Sequence, residues 1–225
     1  IMMNISENTM QILKNYSSIN PNFIARKGNT ITTISEAKNI LSSCSVEEEF
    51  EQDVGIYDLN EFLSVLSLVE QPKLSMEEKW VMISDQTGRS KIKYFFTDPE
   101  MLTSPTEKMI QNASSMDNFD ISFTLDNDTL NRIKRASAAL GSTSMKVETK
   151  DTGGVVLKVF DTENPTSNTF SIDVPGQGQG EGTHTINISN LKIVPGDYDV
   201  KISNKNISNF IHKEKPIQYW IALEK

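Results

Sequence analysis

The chain has a single cysteine, Cys44, in 225 residues, so no disulfide can form within it and packing must hold the fold. With one cysteine and two histidines there is no zinc set. His184 and His212 both fall in alternating strand patterns, where an imidazole is expected on a sheet surface. No apolar run approaches the ~20 residues that span a bilayer, and no basic stretch followed by an apolar core reads as a secretion signal. The glycine-rich run 176–182 lacks the Lys and Ser/Thr of a phosphate loop, and its glycines do not follow the dinucleotide spacing; it reads as a flexible loop after Pro175. Asp126-Asn127-Asp128 begins like a calcium loop, but Leu130 and Asn131 stand where a ligand and the turn glycine belong, so helix capping explains it better. Glu47, Glu48 and Glu49 are three adjacent acids in a strand; they point to alternate faces and are expected to be solvated. No catalytic constellation emerges, which argues against an enzyme.

Positive charge is also scarce. Lys and Arg number 22 against 30 Asp and Glu, a formal net charge of −8. That sum argues against nucleic acid, because phosphate binding needs cations. The distribution matters more. Seven acids from Glu47 to Glu61 occur with no base between them, whereas Arg132, Lys134, Arg135 and Lys146 meet no acid between Thr129 and Val147. Exposed charges more than about 8 Å apart are largely screened at physiological salt, so an acidic exterior can coexist with a basic face elsewhere.

What is present is a repeated pattern. In the run Asp53 to Val69 a short apolar strand leads almost directly into a helix, with Leu59, Phe62, Leu63 and Leu66 on one face and Asn60, Ser64 and Ser67, small and uncharged, opposite. Asp58 is placed to cap it. Before it come a helix from Glu7 to Ser18 and strands near Phe23–Arg26, Thr30–Ile34 and Ser43–Phe50; after it, strands near Trp80–Ser84 and Lys91–Thr97. The second half opens with a strand, Phe119 to Leu125, and a helix from Asp126 to Leu140 with an inward stripe of Leu130, Ile133, Ser137 and Leu140, ended by Gly141. Further strands follow at Ser144–Thr149, Val155–Phe160, Thr169–Val174 and Thr183–Ile188. A fourth, short helical turn spans Ser189–Val194 and stops at Pro195-Gly196; strands at Tyr198–Ser203, Ile207–His212 and Gln218–Leu223 complete the chain. Helix then strands, twice over at an offset of about half the chain, is the pattern of a tandem α+β duplication. Pro99, Pro105 and aperiodic polar sequence between Asp98 and Asn118 mark the boundary, giving domains at 1–105 and 119–225 with a linker at 106–118.

Segments spread in order over this pattern resemble the T4-type bacteriophage sliding clamps. Ile12-Leu13-Lys14-Asn15-Tyr16 with Ile19-Asn20 resembles the first helix of that family, and Ile56-Tyr57-Asp58-Leu59-Asn60 with Phe62-Leu63 and Leu66-Ser67-Leu68-Val69 the second. Leu191-Lys192-Ile193 with Pro195-Gly196 and Tyr198 resembles the fourth, and Tyr219 to Glu224 the closing strand.

The resemblance implies an α+β fold of two similar clamp domains, helices lining an inner face and antiparallel sheets outside, closing into a head-to-tail homotrimeric ring. It implies a non-catalytic DNA sliding clamp that encircles duplex DNA and tethers the viral DNA polymerase, with neither cofactor nor metal. The family places bases at the positions of Lys14, Arg135 and Lys192; Ala138 stands where relatives carry a second Arg, and Arg132 and Lys134 stand where they tend to be neutral. Lys14, Arg132, Lys134, Arg135 and Lys192 are therefore the expected DNA-facing set. The implied subunit interface sets Lys91, Ile92, Tyr94 and Phe96 of one copy against Phe170, Ile172 and Val174 of the next. Met101, Leu102, Ile217 and Trp220 are candidates for a partner groove, although Ile217 and Trp220 also fit a buried core. Implied partners are the polymerase, an ATP-dependent clamp loader and, in some phages, late transcription factors, all in the cytoplasm of the infected host and away from membrane. The competing expectation is a β-rich phage virion module that assembles through edge strands without tracking DNA.

Overall fold

Ser6 supplies an acceptor where a helix has free backbone donors: its hydroxyl takes the Thr9 N–H, and α1 runs Glu7–Ile19 from there. The computed structural model describes residues 1–179 and 182–225 and falls into two units, Ile1–Ile110 and Gln111–Lys225. The strands of the first are β1 (Met2–Met3), β2 (Phe23–Ala25), β3 (Gly28–Ile34), β4 (Ile40–Phe50), β5 (Val54–Ile56), β6 (Lys73–Met76), β7 (Trp80–Ser84) and β8 (Lys91–Phe95). They pair antiparallel as a four-stranded sheet in the order β1-β6-β7-β8, with β2 on β5 and β3 on β4. Neither β1 nor β6 is expected from the sequence: one is two residues long, and the other offers a single buried side chain, Leu74.

The second helix, α2 (Leu59–Ser67), starts as expected. Asp58 accepts from the N–H groups of Asn60 and Glu61, and Leu59, Phe62, Leu63 and Leu66 are buried. Asn60, Ser64 and Ser67 face outward, joined by exposed Glu61, so this face carries one acid.

The acidic run on β4 corrects one expectation. The strand alternates, so Glu47 and Glu49 are exposed, but Glu48 points inward and is only 7% exposed. Its two oxygens accept from Ser6 N–H at 2.7 Å and the Thr9 hydroxyl at 2.6 Å, pinning the start of α1 to the sheet. Buried donors stripped of a carboxylate lose charge-assisted bonds worth about 1.5–3 kcal/mol. Glu48→Ala should therefore lower unfolding free energy by about 2–3 kcal/mol and Glu48→Gln by roughly half that. Urea titration measures both; an unchanged midpoint in the alanine variant would show that something else holds the helix start.

In the second unit the strands are β9 (Phe119–Leu125), β10 (Ser144–Thr149), β11 (Val155–Phe160), β12 (Phe170–Val174), β13 (Gly176–Gly178), β14 (Thr183–Asn187), β15 (Tyr198–Ser203), β16 (Ile207–His212) and β17 (Ile217–Ala222). One sheet runs β12-β11-β10-β14; another contains β13-β9-β15-β16-β17. The long helix Asn127–Leu140 is capped by Asp126, which accepts from Thr129 N–H, and ends on Gly141 at φ +65°, a left-handed turn that suits glycine.

Three features differ from expectation. A helix, α3 (Glu107–Ser114), fills most of the stretch read as an aperiodic linker; Thr106 accepts from Met109 N–H at its start, and no Gly or Pro interrupts it. With α3 counted, Asn127–Leu140 is α4. Second, the glycine run is not all loop. Gly176–Gly178 forms β13 against Ile121–Phe123, and a Cβ on Gly176 would fall 2.4 Å from the Ser122 carbonyl oxygen, so the strands approach as only glycine allows. The rest of that reading falls partly on Gly180 and Glu181, outside the described residues. Third, the expected fourth helix is only a 3₁₀ turn, Ile188–Asn190; Asn187 caps it by accepting from Ser189 N–H, and Lys192 lies beyond it.

Candidate functional site

Side chains about 100° apart along a helix divide α4 into distinct faces. Thr129, Leu130 and Ile133 are buried. Arg135 lies almost opposite them, with Asn131 and Ala138 beside it, and all three are exposed. Arg132 and Lys134 leave on opposite flanks. The guanidinium of Arg132 lies 5.8 Å from the ring centroid of Phe170, the first residue of β12, so it leans toward that strand and not straight outward. Arg132 also adds a small share to lowering the pKa of Asp126, after the dominant bonds from Thr129. Lys134 is exposed on its flank, and desolvation by the surrounding protein lowers its pKa. Of the three bases read from this helix, Arg135 is the one at the centre of the solvent face.

Lys192 is exposed on a segment whose neighbours Leu191, Ile193 and Val194 are all buried. Tyrosines clamp that segment. Val194 N–H donates to the Tyr219 hydroxyl at 3.1 Å, and the Tyr198 hydroxyl donates to the Val194 carbonyl. Gly196 N–H donates to Asn127 Oδ1 at 3.0 Å, tying the segment to the first turn of α4. Burial of Tyr198, with smaller contributions from Tyr219, pushes its phenol pKa far up, so the hydroxyl stays a donor.

His212 belongs to the same clamp. It was expected on a sheet surface, yet it is 6% exposed. Its Nδ1 accepts from the N–H groups of Glu214 and Lys215 at 3.1 and 2.9 Å, which leaves Nε2 to donate to the Pro195 carbonyl at 3.1 Å. Gly196 sits at φ +142°, and a Cβ there would fall 2.1 Å from His212 Nε2. The Pro195-Gly196 pair, legible as a helix stop, is thus a turn wrapped around a histidine. Nothing in the local pattern marks His212 for this, because its partners lie in other segments. His184 is half-buried on β14.

In the first unit, Lys14 leaves the exposed side of α1, opposite buried Ile12, Leu13 and Tyr16. It borders a cleft of about 670 Å³ that also takes in Glu7, Met10 and Gln11 of α1 and Leu66 and Ser67 of α2. The charges that accompany it on the outward faces of α1 and α2 are the exposed acids Glu7 and Glu61.

The strands expected to join subunits both lie at sheet edges: β8 ends the order β1-β6-β7-β8, and β12 ends β12-β11-β10-β14. Lys91, Ile92 and Tyr94 lie in β8 and Phe96 just beyond it; Phe170, Ile172 and Val174 alternate along β12, with Val174 buried. The residues expected in a partner groove differ widely in exposure. Ile217 and Trp220 are each only 2% exposed, whereas Met101 is 78% exposed and Leu102 half-buried against Gly55.

Among the described residues no group of three His, Cys, Asp or Glu side chains is arranged to hold a metal, and no helix is long and apolar enough to cross a membrane. Residues 6–110 match the family model described as DNA polymerase processivity factor, and residues 122–225 match that described as gp45 sliding clamp, C terminal. The sliding clamp of Vibrio phage KVP40 is 29% identical over 224 residues, covering 99% of both chains. The sliding clamps of Escherichia phage RB69 and Enterobacteria phage T4 are each 27% identical over 231 residues, covering 99% of this chain and 97% of theirs. In fold, the chain is similar to proliferating cellular nuclear antigen from Entamoeba histolytica, with a TM-score of 0.67 at 13% identity, over 96% of this chain and 94% of that one. A putative DNA polymerase III beta subunit from Eubacterium rectale matches all of this chain and 65% of its own, with a TM-score of 0.67 at 13% identity.

Proposed function

Because the chain belongs to the sliding-clamp family of DNA polymerase processivity factors, we propose that three copies close head to tail around duplex DNA and tether a phage DNA polymerase to its template. The observation that carries this reading is a likeness to phage sliding clamps that runs through both units and over 99% of the chain. It speaks for the clamp and gives no support to a virion assembly module.

The physics suits an acidic chain. A closed ring is held on DNA by topology, so its contacts need only be weak, directed at phosphate and blind to sequence. A dense basic patch would raise the barriers to sliding. Sparse exposed bases, Lys14 on α1 in one unit and Arg135 on α4 with Lys192 beyond the 3₁₀ turn in the other, supply attraction without adhesion. Carboxylates elsewhere, such as exposed Glu47 and Glu49, disfavour DNA on other surfaces. The contribution to replication is mechanical and calls for no catalytic group. β8 of one copy pairs with β12 of the next, which also removes two open edges that would otherwise invite aggregation.

An ATP-driven loader opens the ring, and polymerase and late transcription factors dock on its outside, with exposed Met101 part of that surface. The setting is the cytoplasm of an infected bacterium. The test compares retention on nicked circular and linear duplex. Light scattering should give about three times the 25.2 kDa chain mass. Loaded protein should persist on circles and run off once they are linearised. A strict monomer at high concentration, or equal loss from circles and lines, would sink the proposal.

A further inference from the structure

We propose that Arg132, at the open β12 edge, meets the Asp58/Glu61 carboxylates at the open β8 edge of a second copy of this chain. The inference rests on the ring reading above.

On β8, Ile92 and Tyr94 share the helix side of the strand. Their partners on β7, Ile83 and Val81, are fully buried, and Tyr94 meets Phe62 of α2 edge to face with centroids 5.0 Å apart. Asp58 and Glu61, at the start of α2, stand near enough to add to burial in raising the Tyr94 pKa. Acid therefore marks the helix side of this edge. Its other side is basic: Lys91 and Lys93 are exposed, and Lys93 Nζ lies 4.0 Å from the Trp80 ring centroid.

On β12 the helix side is basic. Phe170, Ile172 and Val174 face the helix side, opposite buried Val159, Leu157 and Val155 of β11. Arg132 is held over Phe170 there. On the other side stands Asp173, already 2.7 Å from Lys150 Nζ and exposed, hence the weaker of the two marks.

A strand added to an edge continues both faces of the sheet, so helix side meets helix side. In an antiparallel β8–β12 junction the end of β8 at Tyr94 meets the start of β12 at Phe170, so the Asp58/Glu61 pair then faces Arg132. That contact is heterologous, the kind that propagates into a ring. Arg132 serves as an interface residue in this arrangement because it leans over Phe170, whereas Arg135, about 60° away round α4, keeps the solvent face.

Glu61 and Arg132 are exposed, so their reversal spares the core; Asp58 is left intact because it caps α2. In low salt, E61R and R132E should each raise the dissociation constant of the assembly about tenfold or more, and E61R/R132E should restore it to within about threefold of wild type, measured by sedimentation equilibrium. If the wild type assembles and either the single variants do so equally well or the double variant stays as weak as the singles, this inference is overturned while the ring stands. If the wild type never associates, the ring reading falls first and this inference with it.

Discussion

Reversing Lys14, Arg135 and Lys192 together to glutamate is expected to slow loading onto DNA by about 10- to 1000-fold, the range over which charge steering changes association rates. Assembly should be untouched, because none of the three lies on β8 or β12. All three are exposed, and the buried stripes of α1 and α4 do not include them, so the fold should survive as well. Once the ring is closed, retention on circular DNA should fall far less than the loading rate, since topology and not affinity holds it. Salt provides the internal check. Wild-type loading should fall steeply with ionic strength as each counterion released from phosphate gains less entropy, and the triple variant should be nearly flat. Stopped-flow loading across a salt series reads both. A variant that loads at the wild-type rate in low salt would remove these side chains from the DNA-facing surface.

A second large effect is expected at the clamp around Val194. In Y198F/Y219F both rings stay and both hydroxyls go, so the buried Val194 N–H and carbonyl lose their partners. Each stranded group costs about 1–3 kcal/mol, giving about 2–6 kcal/mol for the pair and a melting temperature lower by roughly 4–24 °C. The ring contacts of Tyr198 with Phe210 and Tyr219 are kept, which isolates the hydroxyls from packing. The two substitutions should not add simply, because Tyr219 also acts on the Tyr198 hydroxyl. Hydrogen exchange at Lys192 and Ile193 should rise more than in the core of β15. If the double variant melts with the wild type, the segment carrying Lys192 is held by something other than the tyrosines.

Helix ends and faces were legible along the chain. Asp58, Asp126 and Gly141 sit where capping needs them, and the burial of Leu59, Phe62, Leu63 and Leu66 follows their spacing. These features depend on neighbours three or four residues away, so a short window contains the whole cause. Alternation likewise gave most strands, and it located the two that prove to be edges.

What the amino-acid order determined by itself is therefore local: which stretches coil, which extend, where each helix begins, and a two-part α+β plan bearing a phage-clamp likeness. The tertiary structure alone decided the fate of groups whose partners are distant. Glu48 finds its donors 42 and 39 residues away, Val194 meets Tyr219 across 25, and Arg132 comes to rest over a ring on another element. A buried polar atom must be matched and a glycine strand must have something to approach, and neither condition is written within a few residues of the group concerned. Long-range packing settles both, which is why a carboxylate and an imidazole that look solvent-facing in sequence became internal fastenings, and part of a glycine run became a strand.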